Sequence, residues 1–297
     1  MTEKAVSTKK GSSFAVGFKS FMNFCKKNST FTIGFVFMLI IALIAVFAKQ
    51  LAPNDPYLNA PKLMMMKPFF DSQYPLGTDA LGRCLLSRMM YGLNISFTVG
   101  VTAVVVAVAL GILIGIISGM NYPGIFDTLL MRVVDVQMGF PFIVLVIIFV
   151  SLLGSSIPAL IGVLALSFWA PYSRNIRGSV MIEKNMDYIA AARLMGAGNG
   201  RIAVRYLGRN VLPGVLPMVP MDLSAAIVLE SLLSYMGLGV QPPEISLGNI
   251  MGDGKNYIAT HWWITAMPGI LIVLVAIALT LIGDALHKQF DPKLRNL

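Results

Sequence analysis

Long stretches without charged residues constrain this chain more than any other feature of its sequence. Residues 89–126 and 136–173 contain no Asp, Glu, Lys or Arg. A helix needs roughly 20 mostly apolar residues to cross the hydrocarbon core of a bilayer. Across 297 residues, 56% are hydrophobic and 12% are charged, whereas an ordinary soluble domain has about 25% charged residues. The chain is therefore predicted to be an integral membrane protein.

Six transmembrane helices are predicted, because a backbone in lipid must satisfy its own hydrogen bonds and helices achieve this. The motif GSSIP at Gly154–Pro158 divides the longer charge-free stretch into two spans. The predicted spans are Thr30–Ala48, Leu93–Gly119, Thr128–Leu153, Ile157–Tyr172, Val211–Gly239 and Ile264–Gly283.

The distribution of lysine and arginine predicts the orientation of these spans. With the N-terminus in the cytoplasm, 17 of the 23 basic residues lie on the inner side, as the positive-inside rule requires. Both termini are therefore predicted to be cytoplasmic. The net charge of +9 does not indicate nucleic-acid binding, because the basic residues flank apolar runs.

A single membrane domain, residues 29–297, follows a basic cytoplasmic tail of residues 1–28. Within it we expect an outer loop at 49–92, a cytoplasmic loop at 174–210 and a C-terminal tail at 284–297.

The cytoplasmic loop contains a compact stretch, DYIAAARLMGAGNG, at residues 187–200. Three consecutive alanines favour a helix, and the glycine at position 196 favours its end, since glycine accepts left-handed backbone geometry. Without bulky side chains, such a helix could approach another protein closely. An amphipathic connector lying on the membrane is the alternative.

This stretch resembles the EAA loop of ABC-importer permeases, in which E-A-A is followed by three residues and a glycine. Ala191, Ala192 and Gly196 match that pattern, whereas Ala190 stands at the glutamate position. The later Leu-Pro of the pattern falls on Gly208–Arg209, although a Leu-Pro occurs at Leu212–Pro213.

Three longer segments resemble one branch of those permeases, the second membrane subunit of dipeptide, oligopeptide and nickel importers. They are PLGTDALGRCLLSRMMYGLNISF at Pro75–Phe97, LESLLSYMGLGVQPPEISLGNIMGDGKNYI at Leu229–Ile258, and GDALHKQFDPKLR at Gly283–Arg295. Cys84, Asn94 and Leu247 replace an aspartate, an arginine and a tryptophan of the family pattern.

The resemblance implies a type I ABC importer permease fold, an all-α membrane protein in the bacterial plasma (inner) membrane. It implies a homologous second permease, two cytoplasmic ATPases that hold ATP and magnesium, and an extracytoplasmic binding protein. This chain would bind no cofactor. The implied ATPase-coupling residues are Asp187, Ala191, Ala192 and Gly196. The implied cargo is short peptides, with nickel or metal chelates next.

Two acidic residues inside the predicted fifth span require an explanation, since a charge near the bilayer centre costs roughly 2.5–3.5 kcal/mol. Asp222 and Glu230 share a broad helix face, and Ser234 lies near it. These three residues could line the substrate pathway, or they could hydrogen-bond neighbouring helices and fix their packing. Arg132 and Asp135 lie three residues apart and are predicted to pair along one helix.

An enzyme is not indicated. The sequence contains no phosphate-binding G-x-x-x-x-G-K-[ST] motif, no nucleophile–histidine–acid set and no metal-ligand spacing. The competing hypotheses are an ion-coupled secondary transporter, a channel or scaffold subunit, and a membrane-embedded enzyme. In a secondary transporter the stretch at 187–200 would have no function. Whether transport requires ATP and a separate binding protein distinguishes these classes.

Overall fold

The computed structural model describes Met22, Cys25, Lys26 and residues 28–290. Most of the predicted N-terminal tail and the last residues of the C-terminal tail therefore lie outside the described residues. The described part of the chain is helical, as predicted. The α-helices are α1 (Ser29–Val46), α2 (Ala48–Leu51), α3 (Leu85–Asn121), α4 (Ile125–Gly139), α5 (Phe142–Leu153), α6 (Ile157–Glu183), α7 (Asp187–Leu194), α8 (Asn199–Arg201), α9 (Gly208–Val215), α10 (Met218–Tyr235), α11 (Leu247–Gly254) and α12 (Trp263–Phe290). The described residues also include two 3-10 helices (Pro61–Leu63 and Lys255–Tyr257) and a π-helical segment (Ile202–Leu207).

The most extensive helix contact joins α3 to α6. Gly111, Gly115 and Gly119 recur every fourth residue of α3 and face α6. A Cβ on Gly115 would lie 2.7 Å from the Ser173 carbonyl oxygen and 2.8 Å from the Ile176 Cβ. Small residues at this spacing let the backbones of two membrane helices pack closely. Their association then depends on van der Waals contact, because the hydrophobic effect does not drive helices together within lipid.

A second layer forms on the other side of the bundle. α12 packs against α1, α10 and α11, and α10 also contacts α3. The shared core includes Ile41, Leu93, Ile227, Leu247 and Val275, all buried. α10 is thereby positioned between the α3–α6 pair and the α1–α12 pair.

Four of the described helices are long and apolar enough to cross a membrane: α1, α3, α10 and α12. The bent pair α4 and α5 would make a fifth span. α6 is 27 residues long, but its last third carries charged residues, so it lacks a uniformly apolar length. The structure thus supports four to five apolar spans.

The predicted third span, Thr128–Leu153, is two helices bent by 100° rather than one. The break lies at Phe140 and Pro141, and Phe140 has extended geometry (φ −87°, ψ 140°). Proline disfavours helical geometry in the residue before it and lacks a backbone donor, so the helix ends there.

Several helices extend beyond the predicted boundaries. α3 begins at Leu85, so the helix of the second span starts within the region predicted as the outer loop. α6 continues to Glu183 and α12 to Phe290, into the regions predicted as cytoplasmic loop and tail. Apolar runs mark the bilayer thickness, whereas the helices continue wherever polar residues find partners beyond it.

Candidate functional site

α7 is a short helix with one face against the protein and the other in solvent. Ile189 and Ala192 are buried, whereas Asp187 and Ala191 are exposed. Ile189 packs in a cluster that includes Val180 of α6 and residues of the following π-helical segment. The exposed face ends in an apolar tip, since Leu194 and Met195 are 90% and 78% exposed.

Gly196 ends α7 in the left-handed conformation, with φ of +83°. Its N–H donates to the Arg193 carbonyl at 2.9 Å, and the Ala197 N–H donates to the Ala192 carbonyl at 3.0 Å. A Cβ would meet nothing within 4 Å at this site. Backbone conformation rather than space therefore requires glycine here.

Tyr188 fastens α7 to its neighbours. Its hydroxyl donates to the Glu183 carboxylate at the end of α6 and accepts from the Asn210 side chain at 2.8 Å. Its ring stacks on Tyr206, with centroids 6.5 Å apart. Burial and the nearby Glu183 carboxylate raise the pKa of Tyr188, so the phenol stays protonated.

The four predicted coupling residues thus divide between the two faces of this segment. Asp187, Ala191 and Gly196 lie on the solvent side. Ala192 faces inward and supports the packing of α7 rather than presenting itself to a partner.

Glu230 of α10 is fully buried, and serine hydroxyls surround it. Ser96 of α3 donates to its carboxylate at 2.6 Å, and Ser234 donates at 2.7 Å. The Ser234 oxygen in turn accepts from the Val240 N–H at 3.1 Å. These contacts join α10 to α3 and to the loop after α10, which favours the packing alternative for Glu230 and Ser234.

Asp222 lies two turns earlier on α10 and is only half-buried. The structure therefore brings Glu230 and Ser234 together and places Asp222 in a separate, more open position.

Sequence reasoning missed a polar cluster where α3, α4 and α6 meet. Arg177 of α6 makes a two-bond ion pair with Asp127 of α4, at 2.5 and 2.8 Å. The Ser118 hydroxyl also donates to Asp127. Lys184 donates to the carbonyl oxygens of Gly119 at 3.0 Å and Tyr122 at 2.7 Å. In the sequence, Asp127 marked only the end of a charge-free run.

The predicted pair of Arg132 and Asp135 is not the pair that forms. Asp135 of α4 binds Arg174 of α6, and both side chains are 50% exposed. Arg174 reaches Asp135 because α4 packs against α6, an interhelical contact that spacing along one helix does not reveal.

A second missed cluster joins two of the segments that carried the family resemblance. Asp79 is 1% exposed and accepts from Arg83 at 2.6 Å and from Arg88. The same two arginines reach Asp253 of α11 at 3.1 and 3.0 Å. The cluster therefore fixes the loop before α3 to α11, with Arg88 as its buried centre.

The described residues contain no group of three His, Cys, Asp or Glu side chains that could hold a metal ion. The acidic and basic side chains of the two clusters described above instead form ion pairs and hydrogen bonds between helices.

Comparison with known proteins places these features in a family. Residues 111–296 match the family described as "Binding-protein-dependent transport system inner membrane component". Residues 19–71 match "N-terminal TM domain of oligopeptide transport permease C".

Curated relatives align over nearly the whole chain. A "Di/tripeptide transport system permease protein DppC" of Pseudomonas aeruginosa is 34% identical, over 89% of this chain and 88% of the relative. A "Dipeptide transport system permease protein DppC" of Escherichia coli is 36% identical, over 93% of each.

Among solved structures, a chain from "Inward facing conformations of the MetNI methionine ABC transporter" superposes with a TM-score of 0.51 at 21% identity. That superposition covers 70% of this chain and 96% of the other. At this identity the likeness shows a shared fold, that of a type I ABC importer permease.

Proposed function

This chain belongs to the family of binding-protein-dependent transport system inner membrane components, and from that membership we propose that it forms half of the translocation pathway of a peptide importer. It is a permease subunit of an ABC importer and not an enzyme, since the ATPase is a separate subunit. The observation that carries the peptide assignment is the extent of its likeness to dipeptide permeases, over about nine-tenths of the chain.

The proposed assembly contains a homologous second permease, two cytoplasmic ATPases that bind ATP and magnesium, and an extracytoplasmic binding protein. In this proposal the chain has six spans with both termini in the cytoplasm, in the inner membrane of a bacterium. α6 supplies the sixth span: it runs alongside α3, and its charged last third would lie at the cytoplasmic surface.

α7 is the proposed contact with an ATPase. Its exposed face includes Asp187 and Ala191, and Leu194 and Met195 form an apolar tip. Closure of the two ATPases on ATP would move α7, and the attached spans would tilt between inward-facing and outward-facing states. Gly196 holds the turn that orients the tip, and Ala192 supports the helix from beneath.

Asp222 is the proposed pathway residue of α10. Its position in a more open environment supports contact with the ammonium group of a peptide. Glu230 and Ser234, which the sequence placed on the same face, are proposed to fix helix packing, because serine hydroxyls already satisfy the carboxylate.

The experiment is reconstitution of the chain with its second permease, ATPases and binding protein in proteoliposomes. ATP-dependent uptake of labelled dialanine is measured beside uptake of nickel ions. Peptide uptake that needs both ATP and the binding protein supports the proposal. Nickel uptake without peptide uptake would reassign the cargo, and uptake without ATP would refute the importer mechanism.

Gly196→Val tests the coupling role. A β-branched residue in left-handed geometry costs roughly 1–2 kcal/mol, so the turn should shift and uptake should fall while the complex still assembles. Gly196→Asn should restore part of the uptake, because asparagine tolerates this geometry. Gly198→Val is the matched control, since Gly198 is extended (φ −71°, ψ 161°) and open to solvent. Equal uptake by the wild type and Gly196→Val would contradict the role.

A further inference from the structure

A polar cluster joins the end of α3, the start of α4 and the end of α6. Here we define the strut as Asp127, Arg177, Lys184, Ser118 and Tyr122. We infer that the strut is a positioning device that transmits movement of α7 to the α3–α4 hairpin, an inference that rests on the proposed function.

The first step of the argument is that α7 and the end of α6 move together. Only three residues, Lys184–Met186, separate the two helices, and backbone hydrogen bonds continue through them. Tyr188 binds Glu183 across this turn. Ile189 packs in the same apolar cluster as Val180 of α6.

The second step is that the same part of α6 holds α3 and α4. Arg177 and Lys184 lie seven residues apart, two helical turns, and therefore share a face. The Nε and Nη2 atoms of Arg177 both donate to the Asp127 carboxylate, and Lys184 donates to the backbone at the end of α3. Both cations also lie over the Tyr122 ring, at 5.1 and 5.5 Å from its centroid.

The third step is burial. Asp127 has a side chain only 5% exposed, and Arg177 is 23% exposed. A paired, hydrogen-bonded charge in such surroundings holds one geometry, whereas an exposed pair is solvated and mobile. Asp135 and Arg174 supply that contrast, since they join the same two helices with both side chains half exposed.

Movement of α7 should therefore carry α3 and α4 with it as one body. α4 leads into the bend at Pro141 and presents an apolar face that includes Ile125 and Phe126, at 79% and 70% exposed. Loss of the strut would let α6 and α7 respond to the ATPases without moving α4. ATP hydrolysis would continue while transport decreased.

Asp127→Asn is the test in the reconstituted complex, with dialanine uptake and ATP hydrolysis measured on the same vesicles. We expect the uptake per ATP hydrolysed to fall about five- to tenfold, as removal of a typical coupling free energy predicts. Asp135→Asn should change the ratio less than about twofold, as an exposed pair predicts. The double variant Asp127→Asn with Arg177→Gln leaves no lone buried charge and should show the same uncoupling.

A second measurement does not depend on the cargo. Spin labels at Ile182→Cys of α6 and Ile125→Cys of α4, with Cys25 and Cys84 replaced by alanine, report the distance between these helices. In the otherwise wild-type complex the distance should be the same with and without ATP and vanadate. In Asp127→Asn it should become broader or nucleotide-dependent.

Two outcomes would overturn the inference: an unchanged ratio in Asp127→Asn and the double variant, including a parallel loss of hydrolysis and uptake, or a label distance that Asp127→Asn leaves unchanged. A wild-type complex without ATP-dependent uptake would instead refute the proposed function. The wild-type arm therefore separates failure of the strut from failure of the importer assignment.

Discussion

Gly115→Ala, at the close contact between α3 and α6, should destabilise the permease. The added methyl carbon would lie 2.7 Å from the Ser173 carbonyl oxygen and 2.8 and 2.9 Å from the Cβ and Cγ2 atoms of Ile176. Ordinary contacts between such atoms lie at about 3.5–4.0 Å, so the helices must separate by roughly 0.7 Å or more.

The magnitude follows from two opposing effects. Overpacking a close helix contact typically costs about 1–3 kcal/mol. Alanine recovers up to about 1 kcal/mol in a helix, because glycine loses more backbone freedom. A net loss of about 1–2 kcal/mol should lower the unfolding temperature by roughly 2–8 °C, at about 2–4 °C per kcal/mol.

The assay is the fraction of monodisperse complex that survives heating in one detergent, followed by fluorescence-detected size exclusion. Gly178→Ala is the matched control, because Gly178 lies in α6 and a Cβ there would meet nothing within 4 Å. That variant should be as stable as the wild type or slightly more stable. Gly115→Ala as stable as Gly178→Ala would refute the close-packing argument.

The two other predictions concern charged side chains that the helices bury wholly or in part. Arg88→Gln should lower the free energy of unfolding by about 3–5 kcal/mol, because it leaves the buried Asp79 carboxylate without its central partner. Arg83→Gln should lower it less, since Arg83 is 19% exposed. Thermal unfolding of both variants measures the difference, and equal losses of stability would contradict the prediction. Asp222→Asn should lower dialanine uptake and leave the stability of the complex unchanged. Glu230→Gln should lower the stability and leave the peptide preference unchanged. The reverse pattern would exchange the proposed roles of the two residues.

The sequence predicted the helical class and the short helix at residues 187–194, because apolar runs and glycine stops depend on local residues. It also led to the family. It did not predict the bend at Pro141, since an apolar run has the same composition whether the helix is straight or broken. The ion pairs were missed for a related reason. Asp127 and Arg177 lie fifty residues apart, so only helix packing brings them together.

The contacts between α3, α4 and α6 explain why the ends of these helices next to α7 can move as one body. Near the end of α6, Arg177 binds Asp127 of α4, and Lys184 donates to the Gly119 carbonyl oxygen of α3. Gly111 and Gly115 bring the backbones of α3 and α6 close together further along the pair. At the other end of α3, Arg88 is fixed between Asp79 and Asp253, which ties that end to α11 instead. A displacement of α7 is therefore most easily accommodated by joint movement of α6, α4 and the adjacent end of α3, while the start of α3 stays fixed to α11.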